Sequence, residues 1–287
     1  MSKLIRANFS RLFKSTFFEV CLIFSAGIGI LENFTRYYEM KKFPEYYVDL
    51  GIEYKSADGF AFSNALYIVF AVAAFTAIFL GTDYSDGTIR NKLMVGNKRT
   101  EIYLSNFITC ATANIIVLLT NFIVTLGFGY VLFRATSLTA KQTAICIISQ
   151  CVTMIGFSAI LVLISMLIQS KASGAVTALI ATMILFVSAI TITADLEAPE
   201  YYEDLRPVAS ETDEKTYTTV QTKNPGYLTG TKRKIYETLN DILPMNQFYQ
   251  ITATNTDNAG KMAMYSALIM ILSTGAGVVF FRKKDLK

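Results

Sequence analysis

Six apolar runs divide this chain, at about 15–33, 59–80, 104–133, 143–168, 173–193 and 262–281. Each is close to or above the roughly 20 residues that carry a helix across a hydrocarbon layer about 30 Å thick. The pattern therefore predicts six transmembrane helices. The 104–133 run is longer than a perpendicular crossing requires, so it should tilt, or kink near Gly127 and Gly129. Ahead of the first run, residues 1–14 follow a helical period. Leu4, Ile5, Phe9, Leu12 and Phe13 fall on one half of the wheel, and Lys3, Arg6, Arg11 and Lys14 on the other. That segment is expected to lie in the headgroup layer with its cations toward anionic lipid. It does not read as a signal peptide, because no small-residue cleavage site precedes Glu32 and more spans follow.

The polar breaks between the runs differ in kind. The shortest with a clear internal order is 83–101, between the second and third spans. Asp86, Gly87 and Thr88 predict a turn and a helix start, and Ile89, Leu93 and Met94 recur at helical spacing. Gly96 then stops the helix before Lys98 and Arg99. A small amphipathic helix held at the membrane surface on two spans is suited to passing motion between a soluble machine and the bilayer. The 34–58 loop is rich in tyrosine (Tyr37, Tyr38, Tyr46, Tyr47, Tyr54), which suits interface anchoring or, alternatively, a substrate-capturing surface. Residues 194–261 form the longest hydrophilic region. It opens acidic (Asp195, Glu197, Glu200, Glu203, Asp204) and holds Pro199, Pro207, Pro225 and Pro244. Within it, Ile235, Leu239, Ile242 and Leu243 share one helical face that Pro244 should end. The region reads as an extracellular cap whose last helix lies on or dips into the outer leaflet.

Composition agrees with the pattern. Of 287 residues, 53% are hydrophobic and 17% charged, with a mean hydropathy of +0.41. Soluble domains carry about 25% charged residues. The net charge of +4 is not gathered along a groove-binding element, which argues against nucleic acid as a partner. Cys21, Cys110, Cys146 and Cys151 all sit inside apolar runs, as small buried hydrophobes do, and the absence of histidine removes the commonest general base. Glu19 and Glu32 stand at opposite ends of the first span, and the other spans carry no acid. An intramembrane acid-pair enzyme or a carrier with a midplane carboxylate therefore has nothing to work with. Glu19 can snorkel or pair with Lys14, or join a polar contact between helices. Asn106, Asn114 and Asn121 recur at about two-turn intervals in the third span. They can tie neighbouring helices together or line a translocation path.

Orientation follows from the cations near span ends. Lys3, Arg6, Arg11, Lys14, Arg90, Lys92, Lys98, Arg99, Lys171, Arg282, Lys283, Lys284 and Lys287 share one side if both termini lie inside. The expected plan is an amphipathic helix (1–14), five spans (15–193) with a cytoplasmic link at 83–101, an extracellular loop (194–261), and a sixth span with a basic cytoplasmic tail (262–287). That is an all-α, multi-pass protein of the cell membrane.

Three pieces of sequence resemble the permease subunits of ABC-2 type transporters, the membrane components of bacterial ABC exporters. The first is Asp83-Tyr84-(x)2-Gly87-Thr88-Ile89-Arg90-Asn91-Lys92-Leu93, followed by Gly96-(x)2-Arg99-(x)3-Tyr103. The second is Asn224-Pro225-Gly226-Tyr227, with Gly230, Arg233, Tyr236 and Leu243-Pro244-(x)2-Gln247. The third is the ending Phe280-Phe281-Arg282-Lys283-Lys284-Asp285-Leu286. The resemblance implies that 83–101 is a coupling helix seated in a cleft of a separate ATP-binding subunit, with Asp83, Asp86, Gly87, Thr88, Arg90, Asn91, Lys92, Gly96, Lys98 and Arg99 at the contact. It also implies a second permease subunit, homo- or heterodimeric, and export of an amphipathic substrate such as a peptide antibiotic, lipid or drug. The chain itself lacks G-x-x-x-x-G-K-[ST], so no cofactor is expected on it and ATP and Mg would act on the partner. The alternative is a non-transporting sensor or immunity protein that binds a ligand through its extracellular loop.

Overall fold

The computed structural model describes residues 1–43, 61–134, 136–208, 216–254 and 258–284. Tyr46, Tyr47 and Tyr54, the first two residues of the predicted second span, and the 285–287 end of the basic tail lie outside the described residues. In chain order the helices are α1 (Ser2–Leu12), α2 (Thr16–Lys42), α3 (Ala65–Ser85), α4 (Thr88–Met94), α5 (Arg99–Phe133), α6 (Ala140–Ile168) and α7 (Lys171–Glu197). After two strands come α8 (Gly230–Ile242), α9 (Pro244–Thr252) and α10 (Ala259–Lys283).

Six of these helices, α2, α3, α5, α6, α7 and α10, are long and apolar enough to cross a membrane, which makes this a multi-pass α-helical membrane fold. They run beyond the apolar stretches at several ends. α2 continues to Lys42, so Tyr37 and Tyr38 sit on a helix rather than in a loop. α5 is unbroken over its 35 residues, through Gly127 and Gly129.

The helices divide into inner and outer sets. In its most apolar window α3 is 61% buried, against 22% for α2 and α7 and 17% for α10. α3 is apolar on every side (its core includes Ile68, Val72, Phe75 and Phe79), as a helix surrounded by others must be. α2 packs on α5, α7 on α3, and α10 on α6. The outer helices turn Ile23, Leu31, Ile184, Ile271 and Leu272 outward, where hydrocarbon covers them. Close approaches are made at glycines. A Cβ on Gly277 of α10 would overlap the Tyr103 hydroxyl of α5, and one on Gly81 of α3 would lie 2.5 Å from the Lys171 Cα of α7.

The 194–261 region departs from an all-helical plan. β1 (Tyr201–Val208) and β2 (Thr216–Lys223) form an antiparallel hairpin, with Tyr201 opposite Lys223 and Val208 opposite Thr216. The run of threonine, tyrosine and valine in 216–222 carries the β-branched and aromatic signal of a strand, which the acidic, proline-bearing context masks. Pro244 ends α8 as the sequence predicts, but α8 is not the last helix of the region. The same proline opens α9 at the first helical position, where its missing N–H costs nothing. α8 buries none of its residues and leaves Ile235 and Leu239 exposed. α9, by contrast, is seated in the bundle through Met245, Phe248 and Ile251. Gln247 anchors it by accepting from Thr153 Oγ1 (2.9 Å) and Ser266 Oγ (2.6 Å) and donating to the carbonyls of Asp241 (2.7 Å) and Met262 (3.2 Å).

Candidate functional site

At the end of the bundle that carries α1 and α4, the last turn of α3 buries a carboxylate. Asp83 has no exposed side-chain surface, a position that a charge holds only when it is paired. Two cations reach it from different elements. Arg11 of α1 pairs through Nη1 with Oδ1, and Lys92 of α4 places Nζ 3.1 Å from Oδ2. Lys92 also donates to Asn8 Oδ1 at 2.9 Å, and Asn8 in turn donates to Asn106 Oδ1 (2.9 Å) and Ser105 Oγ (3.3 Å) on α5. Asn106 continues to Met166 Sδ on α6 at 3.5 Å. One buried polar chain therefore joins α1, α3, α4, α5 and α6.

Local sequence explains why these groups meet. Leu4, Asn8 and Leu12 repeat every four residues on α1 and form its buried stripe, with Arg11 alongside. Gly87 takes φ +67°, a left-handed value that favours glycine, so the chain reverses after α3 and lays α4 back beside it. Ile89 is then buried and Leu93 packs against the core, which brings Lys92 to Asp83. Gly96, at φ +90°, ends the excursion, and Asn97 Nδ2 caps the last turn by donating to the Lys92 carbonyl at 2.8 Å.

Burial first, and the nearby Arg11 cation second, draw the Lys92 ammonium down to about 8. The Asp83 carboxylate at 3.1 Å acts against both and keeps Lys92 charged at neutral pH. Burial likewise lowers Arg11 from its ordinary value, while Cys110 and Asp86 oppose the change. The guanidinium stays charged and stacks 3.8 Å above the Phe79 ring.

The residues of the 83–101 segment thus divide by direction. Asp83 and Lys92 face inward and are committed to each other. Arg99, expected at the partner contact, donates through Nη1 to the carbonyls of Phe281 (3.2 Å), Arg282 (3.1 Å) and Lys284, closing the C-terminal end of α10. Gly87 and Thr88 form the half-buried start of α4. Asp86, Arg90, Asn91, Gly96 and Lys98 face outward. Met94 and Val95 join them at 77% and 82% exposure. The expected stripe of Ile89, Leu93 and Met94 is therefore split, with Met94 on the open side.

Of the two readings open for the asparagines of α5, the contacts match the first. Asn106, Asn114 and Asn121 are fully buried and tie neighbouring helices together. Asn114 donates to Thr76 Oγ1 of α3 (3.2 Å) and Ser158 Oγ of α6 (2.9 Å), and Asn121 donates to the Ser25 carbonyl of α2 (2.9 Å). Arg11 also departs from expectation, since it reaches inward to Asp83 instead of belonging wholly to the lipid-facing half of α1. Asn8 was not singled out by sequence. Its signal was a polar residue in phase with Leu4 and Leu12 on an otherwise apolar stripe. Glu19 stands exposed on the first turn of α2.

No family model, no curated protein and no solved structure matches this chain.

Proposed function

We propose that this protein is the permease subunit of an ATP-binding cassette exporter, driven by a separate ATP-binding subunit that docks on the outward side of α4. The supporting observation is the two-sidedness of that short helix. Its inner side is locked to α1, α3 and α5 through Asp83, Lys92, Arg11 and Asn8. Its outer side offers Arg90, Asn91, Lys98 and the bare Met94–Val95 pair. A displacement of α4 would therefore be felt at once by the end of α3 and by α1. Exposed apolar side chains beside cations, on a link between two spans, suit a protein groove with acidic edges. The motif resemblance around Gly87-Thr88 and the cation-rich inner segments support the same reading, with both termini cytoplasmic and the β-hairpin region outside.

In this reading a second permease subunit completes the pathway, and the substrate is amphipathic, such as a peptide antibiotic, a lipid or a drug. ATP and Mg are handled by the partner chain. The transport cycle alternates the bundle between inward- and outward-open forms as the ATP-binding subunits close and reopen.

The test is co-expression with candidate ATP-binding subunits, followed by purification through a tag on this chain. A complex is expected, with its ATP-driven transport abolished by Arg90→Glu or by Met94→Asp with Val95→Asp while the fold persists. Arg90 is preferred to Arg99 as the probe, because reversing Arg99 would also disturb the end of α10. Transport that survives both variants would refute the docking role of α4. Ligand binding through 194–261 without any ATP-binding partner would favour a sensor or immunity protein instead.

A further inference from the structure

A cavity of about 540 Å³ lies between the C-terminal half of α1, the last turns of α3 and the first residue of α7. That volume falls within the roughly 300–1,000 Å³ typical of small-molecule sites. We infer that it binds the headgroup of an anionic phospholipid from the leaflet on the α1 side. The inference is independent of the transport reading and requires only that the chain sits in a bilayer.

Three cations line the cavity, Arg11, Lys14 and Lys171, together with the hydroxyls of Ser10 and Ser15. One acid, Asp86, shares the lining, and it already accepts from Ser85 Oγ at 3.1 Å. Asp83 and Lys92 lie behind the wall. Arg11 is held at the lining by Asp83 and the Phe79 ring, and its Nε and Nη2 groups are covered by protein, so it contributes positive charge while Lys14, Lys171 and the two hydroxyls supply the donors. Phe17, Ile78 and Phe79 give the same lining an apolar share, against which an acyl chain can lie beside the charged groups.

Lys171 is brought there by close packing. Gly81 lets the α7 backbone approach so nearly that a Cβ would lie 2.5 Å from the Lys171 Cα. Its ammonium stands 5.4 Å from the ring of Phe17, another lining residue. The first turn of α7 also presents the positive end of a 27-residue helix to the same space. Three cations against one acid, two hydroxyls and adjoining apolar side chains together select an amphiphile with an anionic head.

The full-length protein in detergent is tested by native mass spectrometry against equal amounts of phosphatidylglycerol and phosphatidylcholine. Preferential retention of phosphatidylglycerol is expected. Lys14→Gln with Lys171→Gln should weaken it by about tenfold or more, given about fivefold per lysine near an anionic surface. Lys14→Arg with Lys171→Arg should keep the preference. Lys3→Gln with Arg6→Gln, exposed on α1 outside the cavity, should also keep it. Equal retention of the two lipids, or an equal loss in the Lys3/Arg6 pair, would overturn the site. So would loss of preference in the arginine pair. In a melting assay, excess inorganic phosphate should not reproduce the stabilisation by phosphatidylglycerol. If it does, the ligand is a soluble phosphate compound and the lipid assignment fails.

Discussion

Replacing Asp83 by asparagine removes one charge and almost no volume, so it isolates the ion cluster from packing. The carboxylate has no exposed surface, while the side chains of its partners keep 29% (Arg11) and 11% (Lys92) of theirs. Breaking a fully buried pair typically costs about 3–5 kcal/mol, because the remaining charge is stranded. Here Arg11 can recover part of its hydration and Lys92 can lose its proton, so the lower end, about 3 kcal/mol, is expected. For a chain of this size that corresponds to a fall in Tm of about 6–12 °C.

Thermal unfolding can be followed with a thiol-reactive dye, since Cys21, Cys110 and Cys146 are buried and free and become reactive as the bundle opens. The decisive measurement is the double variant. Lys92→Met alone leaves Asp83 paired with Arg11 and should cost about 1–2 kcal/mol. Asp83→Asn with Lys92→Met no longer strands the more buried cation, and it should be more stable than the sum of the single losses by at least about 1 kcal/mol. Strict additivity, or an Asp83→Asn protein melting within about 2 °C of the wild type, would mean that the three charges are not coupled as described.

Other variants probe separate links. Asn114→Leu deletes the bridge between Thr76 and Ser158; it should lower stability by about 1 kcal/mol, the scale of interhelical hydrogen bonds in bilayers, seen in the dye assay. An unchanged melting temperature would mean that the bridge does not hold α3, α5 and α6 together. Gly81→Leu forces side-chain volume against the Lys171 backbone; the α3–α7 contact must open, at about 1–3 kcal/mol, seen as a lower melting temperature in the dye assay. Arg99→Lys keeps the charge but gives up the planar fork that caps Phe281, Arg282 and Lys284. Hydrogen exchange at the C-terminal turn of α10 should rise there, with α5 unaffected.

The agreement between sequence and fold is closest where one physical cause acts alone. Hydrocarbon demands about 20 apolar residues per crossing whatever packs beside them, so the six spans could be located without knowing a single contact. The Gly87 and Gly96 turns were equally plain, since both take the left-handed conformation that few other residues tolerate. The candidate site was legible only in outline. A cation on an amphipathic helix and a carboxylate at the end of a span look alike whether they face water, lipid, a partner or one another. The hairpin at 201–223 and the seating of α9 were hidden for a related reason. A polar segment such as Met245-Asn246-Gln247 carries no mark of burial until Thr153 and Ser266 stand opposite to satisfy it.

By itself, then, the order of residues determined which six helices are long and apolar enough to cross a membrane and where α1 and α4 form. These depend on local periodicity and transfer free energy, which are properties of a segment and its solvent. Only the tertiary structure decided that Asp83 is shared by Arg11 and Lys92, that Arg99 closes α10, that the α5 asparagines hold helices together, and that Met94 and Val95 remain uncovered. Pairing depends on which side chains are brought within about 3 Å of each other, and residues 72 positions apart, as Arg11 and Asp83 are, meet only when the helices have packed.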